Sequence, residues 1–363
     1  MLILFDTLNV YYLPQYIPII QELKLRNHDV KLVCYHDRNE KAVVEPIFQA
    51  LNLECIWVHN DNEAEKLYVK LKPEWIFFGN KCDFLNSIHQ YSKTAQLGHG
   101  IGPKPTYYHK SVTPMTVRFI EGALRLAKIQ QLYPNDNFIQ VGFSKLDPII
   151  NHDEPGLDYE KLGLDSNKKT ILYAPTFNPS SLECFPDNWP TDFTDYNILI
   201  KPHSLTQMRG KFKKQQQKLK KWSEFSNVYV ASPKDISLLP FMKNADILLS
   251  EASSTLFEFA ALSKPVIVCN FFKLKWSYRG IFHYRFKKRF GKDNVLYSDI
   301  GKHVNSYKEL KVAIPQQLAM PEEYAVSRAQ YTTDHVGPTD GKASKRIVDY
   351  LEVNSANSLA AET

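Results

Sequence analysis

Short apolar runs alternate with helical stretches along most of this chain, and that alternation limits the fold more than any other feature. LILFD opens the series, and a helical stretch from Leu13 to Arg26 follows, with Ile17, Ile20, Leu23 and Leu25 expected to face a core. A turn at Asn27–Asp29 leads into VKLVCYH. A helix over 43–51, the run CIWVH, a helix over 61–71 and the run WIFFG then repeat the unit. KTAQLGHG reads as one more strand, ending in a glycine loop. The rhythm blurs between Ser111 and Asp136, then restarts with FIQVGF, KTILYAPTF, YNILIKPHS, NVYVAS, ADILLSEASS and KPVIVCN. Strands and helices alternating at this spacing imply parallel sheets covered on both faces. A length of 363 residues suits two such domains. The expected architecture is α/β: two doubly wound, Rossmann-like domains facing a central cleft, over residues 1–138 and 139–353, with 354–363 a frayed tail.

Composition narrows the class further. No run of about 18 apolar residues occurs, so a transmembrane helix is not expected. MLILFDTLNVYYLP lacks a basic leader and reads as a first strand rather than a signal peptide. The five cysteines, Cys34, Cys55, Cys82, Cys184 and Cys269, are scattered without CxxC spacing, as befits reduced thiols of a cytoplasmic protein. The net charge of +6 is unevenly spread. KFKKQQQKLKKW (Lys211 to Trp222) reads as a solvated helix face. In KLKWSYRGIFHYRFKKRFGK (Lys273 to Lys292), aromatic rings including Trp276 lie among Lys275, Arg279, Arg285, Lys287, Lys288 and Arg289. That mixture suits an anionic partner such as phospholipid headgroups or a phosphorylated substrate. No nucleic-acid-binding pattern accompanies it, so nucleic acid is not an expected partner.

Several chemistries are disfavoured by missing motifs. No GxGxxG follows the first strand, and GxxxxGK[ST], HExxH, a DxD pair and GxSxG do not occur. This favours a transferase that needs no metal and no cofactor over a dehydrogenase, kinase or hydrolase.

The polar chemistry gathers at strand ends. In LLSEASSTLFEF, the strand ends at Ser250 and Glu251, and Ser253 or Ser254 is placed to cap a helix. A helix start at a strand's carboxyl end, with hydroxyls beside it, suits phosphate oxygens. Glu251 would be repelled by phosphate and is expected to accept from hydroxyls of a ribose or of the transferred group. In KPHSL, Lys201 and His203 alternate along extended chain and point the same way, as a diphosphate would require. VGFSKLD and YAPTF bring Gly142 and Thr176 to further strand ends. In QLGHGIGPKP, Gly98, Gly100 and Gly102 permit a sharp turn and Lys104 follows. That loop could cradle phosphate, mount His99 as a general base, form only a turn, or, least convincingly, supply a metal ligand.

Taken in order, these motifs resemble one family. LGHGIGPK is similar to the HG-x-G-x-x-K loop of the CDP-glycerol glycerophosphotransferases, which build teichoic acids and related capsule polymers. VGFSKLD resembles their VTG-x-P-x-x-D segment, ILYAPTF their ILYAPTW, and KPHSL their [KR]-x-H. SEASSTLFEFAALSKPVIV resembles TDYSSxxFDFxxLxKPIIF, with Glu251 and Ala252 in place of Asp-Tyr, and DGKASKRIVDYL resembles the last helix. The likeness spans roughly residues 95–350.

It implies a GT-B fold, with an acceptor-side first domain and a donor-binding second domain. His99 would be the base, His203 would contact the donor diphosphate, and Ser253 and Ser254 would hold phosphate oxygens. The implied reaction moves glycerol phosphate, or another polyol phosphate, from a CDP-linked donor to a lipid-linked or polymeric glycan and releases CMP. The family's association with membranes gives the aromatic-basic run an anionic membrane surface to dock on, at the inner face of the cell membrane. An inverting glycosyltransferase using a UDP-, GDP- or CMP-sugar, and a non-catalytic binder of anionic lipid or polyanion, are the alternatives.

Overall fold

A computed structural model of the chain describes residues 1–363 except 38–40, 99, 103–107, 109–114, 179, 209, 252, 275–277, 279, 283, 286–297 and 360–363. The chain divides into two compact units. The first takes residues 1–101, 106–151 and 334–363, and the second residues 102–105 and 152–333.

In the first unit the strands are β1 (Leu2–Thr7), β2 (Asp29–Tyr35), β3 (Glu54–Val58), β4 (Trp75–Phe78), β5 (Lys93–Leu97), β6 (Val117–Ile120) and β7 (Phe138–Gln140). All pair in parallel, in the order β3-β2-β1-β4-β5-β6-β7. The order reverses between β1 and β4, so the carboxyl ends of those two strands flank a crevice of the kind where open α/β sheets take ligands. The apolar runs make the centre of the sheet, where Phe5 stacks on Phe77 with centroids 4.6 Å apart. The helix Leu13–Leu25 buries Tyr16, Ile19, Ile20 and Leu23. Leu25, expected in the core, is instead 79% exposed, because it falls on the outer side of the last turn.

The last helix, Ala343–Leu359, belongs to this first unit, and this differs from the expected boundary. Trp75 Nε1 donates to Ser355 Oγ at 2.8 Å, and Arg26 bridges Asp349 and Glu352 at 2.7 Å each. Asp147, from VGFSKLD, accepts from the backbone N–H groups of Ala343 (3.2 Å) and Ser344 (2.7 Å), satisfying donors that a helix start leaves without partners. The stretch expected to fray is helical through Leu359. Asp147→Ala is expected to lower stability by about 1–2 kcal/mol, read from urea unfolding. An unchanged midpoint would show that the helix docks without this cap.

The second unit holds β8 (Thr170–Tyr173), β9 (Asn197–Ile200), β10 (Val228–Val230), β11 (Ile247–Ser250), β12 (Val266–Cys269) and β13 (Lys302–Val304), in the parallel order β10-β9-β8-β11-β12-β13. Its core is aromatic: Tyr173, Phe185, Trp189 and Trp222 pack together on one side of the sheet. The lysine-rich helix Lys213–Trp222 buries Leu219 and Trp222 and exposes Lys213, Lys214, Lys220 and Lys221. Lys221 pairs with Asp187 at 3.0 Å. The run is thus a solvated amphipathic face.

Candidate active site

In the second unit, the loops after β8, β9 and β11 meet because those strands are neighbours. Lys201 N–H donates to Tyr173 O at 2.9 Å, and Ala174 N–H donates to Leu249 O at 3.0 Å, so YAPTF, KPHSL and SEASS leave the sheet side by side. The strand order reverses between β8 and β11, again the usual position of a ligand crevice.

His203 is exposed at the end of β9. Its Nδ1 accepts from Leu205 N–H at 3.1 Å, which leaves Nε2 to carry the proton of the neutral ring. The ring packs on Phe177, with centroids 4.8 Å apart at 57°. His203 is therefore presented as a hydrogen-bond donor with its orientation set from behind. Lys201, two residues back, is half-buried.

Ser250 and Glu251 hold the site together from inside. Both are 0% exposed. Ser250 Oγ donates to Ala174 O at 2.7 Å. Glu251 Oε2 accepts from Thr176 N–H at 2.7 Å, and Oε1 accepts from Ser181 N–H at 2.6 Å and from Ser181 Oγ. Ser181 Oγ also meets the Tyr173 hydroxyl at 2.8 Å. Glu251 and Ser250, expected at the donor, use polar atoms within the protein, to fix the 174–181 loop against β11. Thr176 N–H is likewise taken by Glu251.

Burial pushes the Glu251 carboxyl up to about 7, against the opposing pull of Ser181 and Thr176. A folded value above the ordinary 4.5 means the native state holds the proton more tightly than the unfolded chain. Glu251's contribution to stability is then full below about pH 4.5 and is lost as pH rises through 7. Relative to Glu251→Gln, which does not titrate, wild-type stability is expected to fall by up to ~3 kcal/mol across that window. Parallel pH dependences for the two proteins in thermal melts would refute this.

At the end of β11 the helix is short, Thr255–Ala260. Ser254 occupies the N-cap position without a side-chain capping bond. Ser253 supplies the hydroxyl, which donates to Thr255 Oγ1 at 2.9 Å and accepts from Thr255 N–H at 3.3 Å.

The glycine loop follows β5. His99 and Lys104 lie outside the described residues, but the loop's support is visible. Gly98 sits beside Glu121, the residue after β6, and Arg125, in the helix Ala123–Leu132. Arg125 donates to Glu121 Oε2 at 2.6 Å and to Gly100 O at 3.0 Å. The pair is buried, with side chains 3% and 1% exposed. A Cβ on Gly98 would stand 3.3 Å from Glu121 Oε1, so glycine there lets the pair close against the loop. Burial raises the Glu121 carboxyl, and Arg125 opposes that rise. Sequence reasoning missed both residues. The available signal was a Glu directly after an apolar run with Arg four positions on, a helix-pairing distance.

Gly102 falls with the second unit, at φ +101°, where a Cβ would meet the Phe257 ring at 2.8 Å. Gly142, expected among the donor-binding residues, has different neighbours. It belongs to the first unit, at φ +88°, where a Cβ would come within 2.9 Å of Pro338 O and 3.5 Å of Ala343 Cβ. Its lack of a Cβ permits the approach of the final helix. Of the aromatic-basic run, Lys275, Trp276, Arg279, Lys287, Lys288 and Arg289 lie outside the described residues, and Arg285 is exposed. Among the described residues, no helix is long and apolar enough to cross a membrane, and no grouping of His, Cys, Asp and Glu could hold a metal ion.

Two parallel, doubly wound sheets define a GT-B α/β protein, and solved structures agree. A variant of the wall teichoic acid polymerase TagF matches with a TM-score of 0.72 at 15% identity, over 99% of this chain and 90% of that one. UDP-GlcNAc 2-epimerase from Neisseria meningitidis, bound to UDP-GlcNAc, matches with a TM-score of 0.60 at 16% identity, over 97% and 99%. Among curated proteins, the teichoic acid glycerol-phosphate primase of Bacillus spizizenii is 28% identical over 160 residues. That match takes in 41% of this chain and 39% of the relative's length. Residues 128–353 match the family described as CDP-glycerol:poly(glycerophosphate) glycerophosphotransferase, and the chain belongs to that family.

Proposed function

We propose that the protein transfers glycerol phosphate from CDP-glycerol to a hydroxyl of a lipid-linked or polymeric glycan, releasing CMP. The observation that carries this reading is the convergence of the three motif loops at one edge of the second sheet, with the exposed His203 on one of them.

In this reading the acceptor hydroxyl gives its proton to His99 and attacks the β-phosphorus of the donor. A new P–O bond forms as the bond to CMP breaks. His203 Nε2–H and the Lys201 ammonium meet charge developing on the departing phosphate, and Ser253 and Ser254 offer hydroxyls to its oxygens. Glu251 and Ser250 act as positioning residues, keeping Thr176 and its neighbours in register with β11. The protein works at the inner face of the membrane, where the run from Lys273 to Lys292 contacts anionic lipid.

Incubation with CDP-glycerol and a glycan acceptor is expected to release CMP. A donor present at ~100 times its Kd is expected to stabilise the fold by about 2.7 kcal/mol in a thermal-shift screen. Stabilisation and turnover with a UDP-, GDP- or CMP-sugar, and none with CDP-glycerol, would replace this reading with glycosyl transfer.

A further inference from the structure

The first unit contains a cavity apart from the residues assigned to the proposed transfer. It has a volume of about 320 Å³ and opens at the carboxyl edge of the sheet, beside the reversal of strand order between β1 and β4. That volume lies at the small end of ligand sites, roughly 300–1,000 Å³.

Its inner wall carries a built polar group. Asp6, near the end of β1, is 6% exposed, and its Oδ2 accepts from the Tyr35 and Tyr68 hydroxyls at 2.7 Å each. The rings of Phe78 and Phe84 supply apolar wall next to it. Around the mouth stand the exposed amides of Asn60 and Asn80 and the carboxylates of Asp37 and Asp61. His36 stacks on Trp57 (centroids 5.0 Å, 28°) and lies tilted against His59 of the lining (4.7 Å, 30°).

The charges select the ligand. Among the described residues of the lining, the lysine, Lys81, is paired with the Asp83 carboxylate at 2.6 Å, and the remaining carboxylates disfavour phosphate. Carboxylates accept from hydroxyls, side-chain amides both donate and accept, and ring faces cover the C–H side of a saturated ring. We infer that this cavity binds an uncharged polyhydroxylated ring, a sugar, and that it is a site separate from the one for the nucleotide-linked donor. Resting on the proposed transfer reaction, that sugar is a glycosidically linked unit of the acceptor, held by its uncharged part.

The test uses saturation-transfer NMR on the full chain, with glucose and N-acetylglucosamine as probes and no donor present. Binding of at least one sugar is expected, undiminished by excess glycerol 3-phosphate or inorganic phosphate. Asp6→Asn is expected to weaken it about tenfold or more. Because Asp6 is packed under two tyrosines, Asn80→Ala and Asp61→Ala at the exposed mouth provide the second arm, and each should weaken binding several-fold with an unchanged melting temperature. Absence of transfer, displacement by phosphate, or wild-type affinity in both mouth variants would overturn the site. The methyl glycoside of the bound sugar is expected to bind equally well. Its failure to bind would overturn the acceptor assignment, since an acceptor sugar is linked. Sugar binding without CMP release would sink the proposed transfer and leave the site standing, and CMP release without sugar binding would do the reverse.

Discussion

His99→Ala is expected to lower kcat for CMP release by ~10²–10⁴-fold, the range over which a positioned base accelerates proton transfer. Donor affinity should be nearly unchanged, because in the proposed reaction the base acts on the acceptor hydroxyl and not on the nucleotide. The acid limb of the pH–rate profile should flatten in the variant, since that limb reports protonation of the base. His203→Ala makes a useful contrast. In the proposed reaction it removes a donor to the leaving phosphate, so its loss should be weaker for donors with better leaving groups. If both variants turn over like the wild type, the reaction uses neither histidine.

Arg125→Ala is expected to cost about 3–5 kcal/mol of stability, because it strands the Glu121 carboxylate inside the first unit. It also removes the donor that Gly100 O accepts from, so the loop next to His99 loses its anchor. The double variant Glu121→Leu with Arg125→Met separates the two effects. Replacing both charges by apolar groups of similar size should restore most of the stability. Turnover should stay depressed if the pair positions the glycine loop. Full recovery of kcat together with stability would reduce the pair to a structural role.

The alternation of strands and helices makes two parallel sheets legible in the sequence. Every run assigned to a strand holds one, since a sheet covered on both faces demands continuous apolar segments. Two strands escaped. VRFI carries Arg118, which is 4% exposed, and a charged residue in the middle of a four-residue strand hides the apolar signal. The strand Lys302–Val304 is three residues long and opens with lysine and histidine. The helix Ala123–Leu132 was obscured in the same way by buried Arg125.

The candidate site was legible as a set of segments but not as a division of labour. Ser250, Glu251 and Ser253 are polar residues within four positions at one strand end, and no pattern in the sequence says which of them turn inward. Burial decides it: Glu251 finds its partners in Thr176 and Ser181, some seventy positions earlier. Gly142 was likewise read by its place in a motif, whereas its positive φ answers to a helix two hundred positions later.

The return of the last helix to the first unit has a consequence for synthesis. A ribosome completes residues 152–333, and so nearly all of the second unit, before the segment that Asp147 caps has been made. The first unit must therefore wait, its Trp75 and Arg26 surfaces uncovered, until residues 343–359 emerge. Chains released a few dozen residues early would carry a finished second unit attached to an unfinished first one. Loss of that short stretch would thus disable the half of the molecule to which it is most distant in sequence.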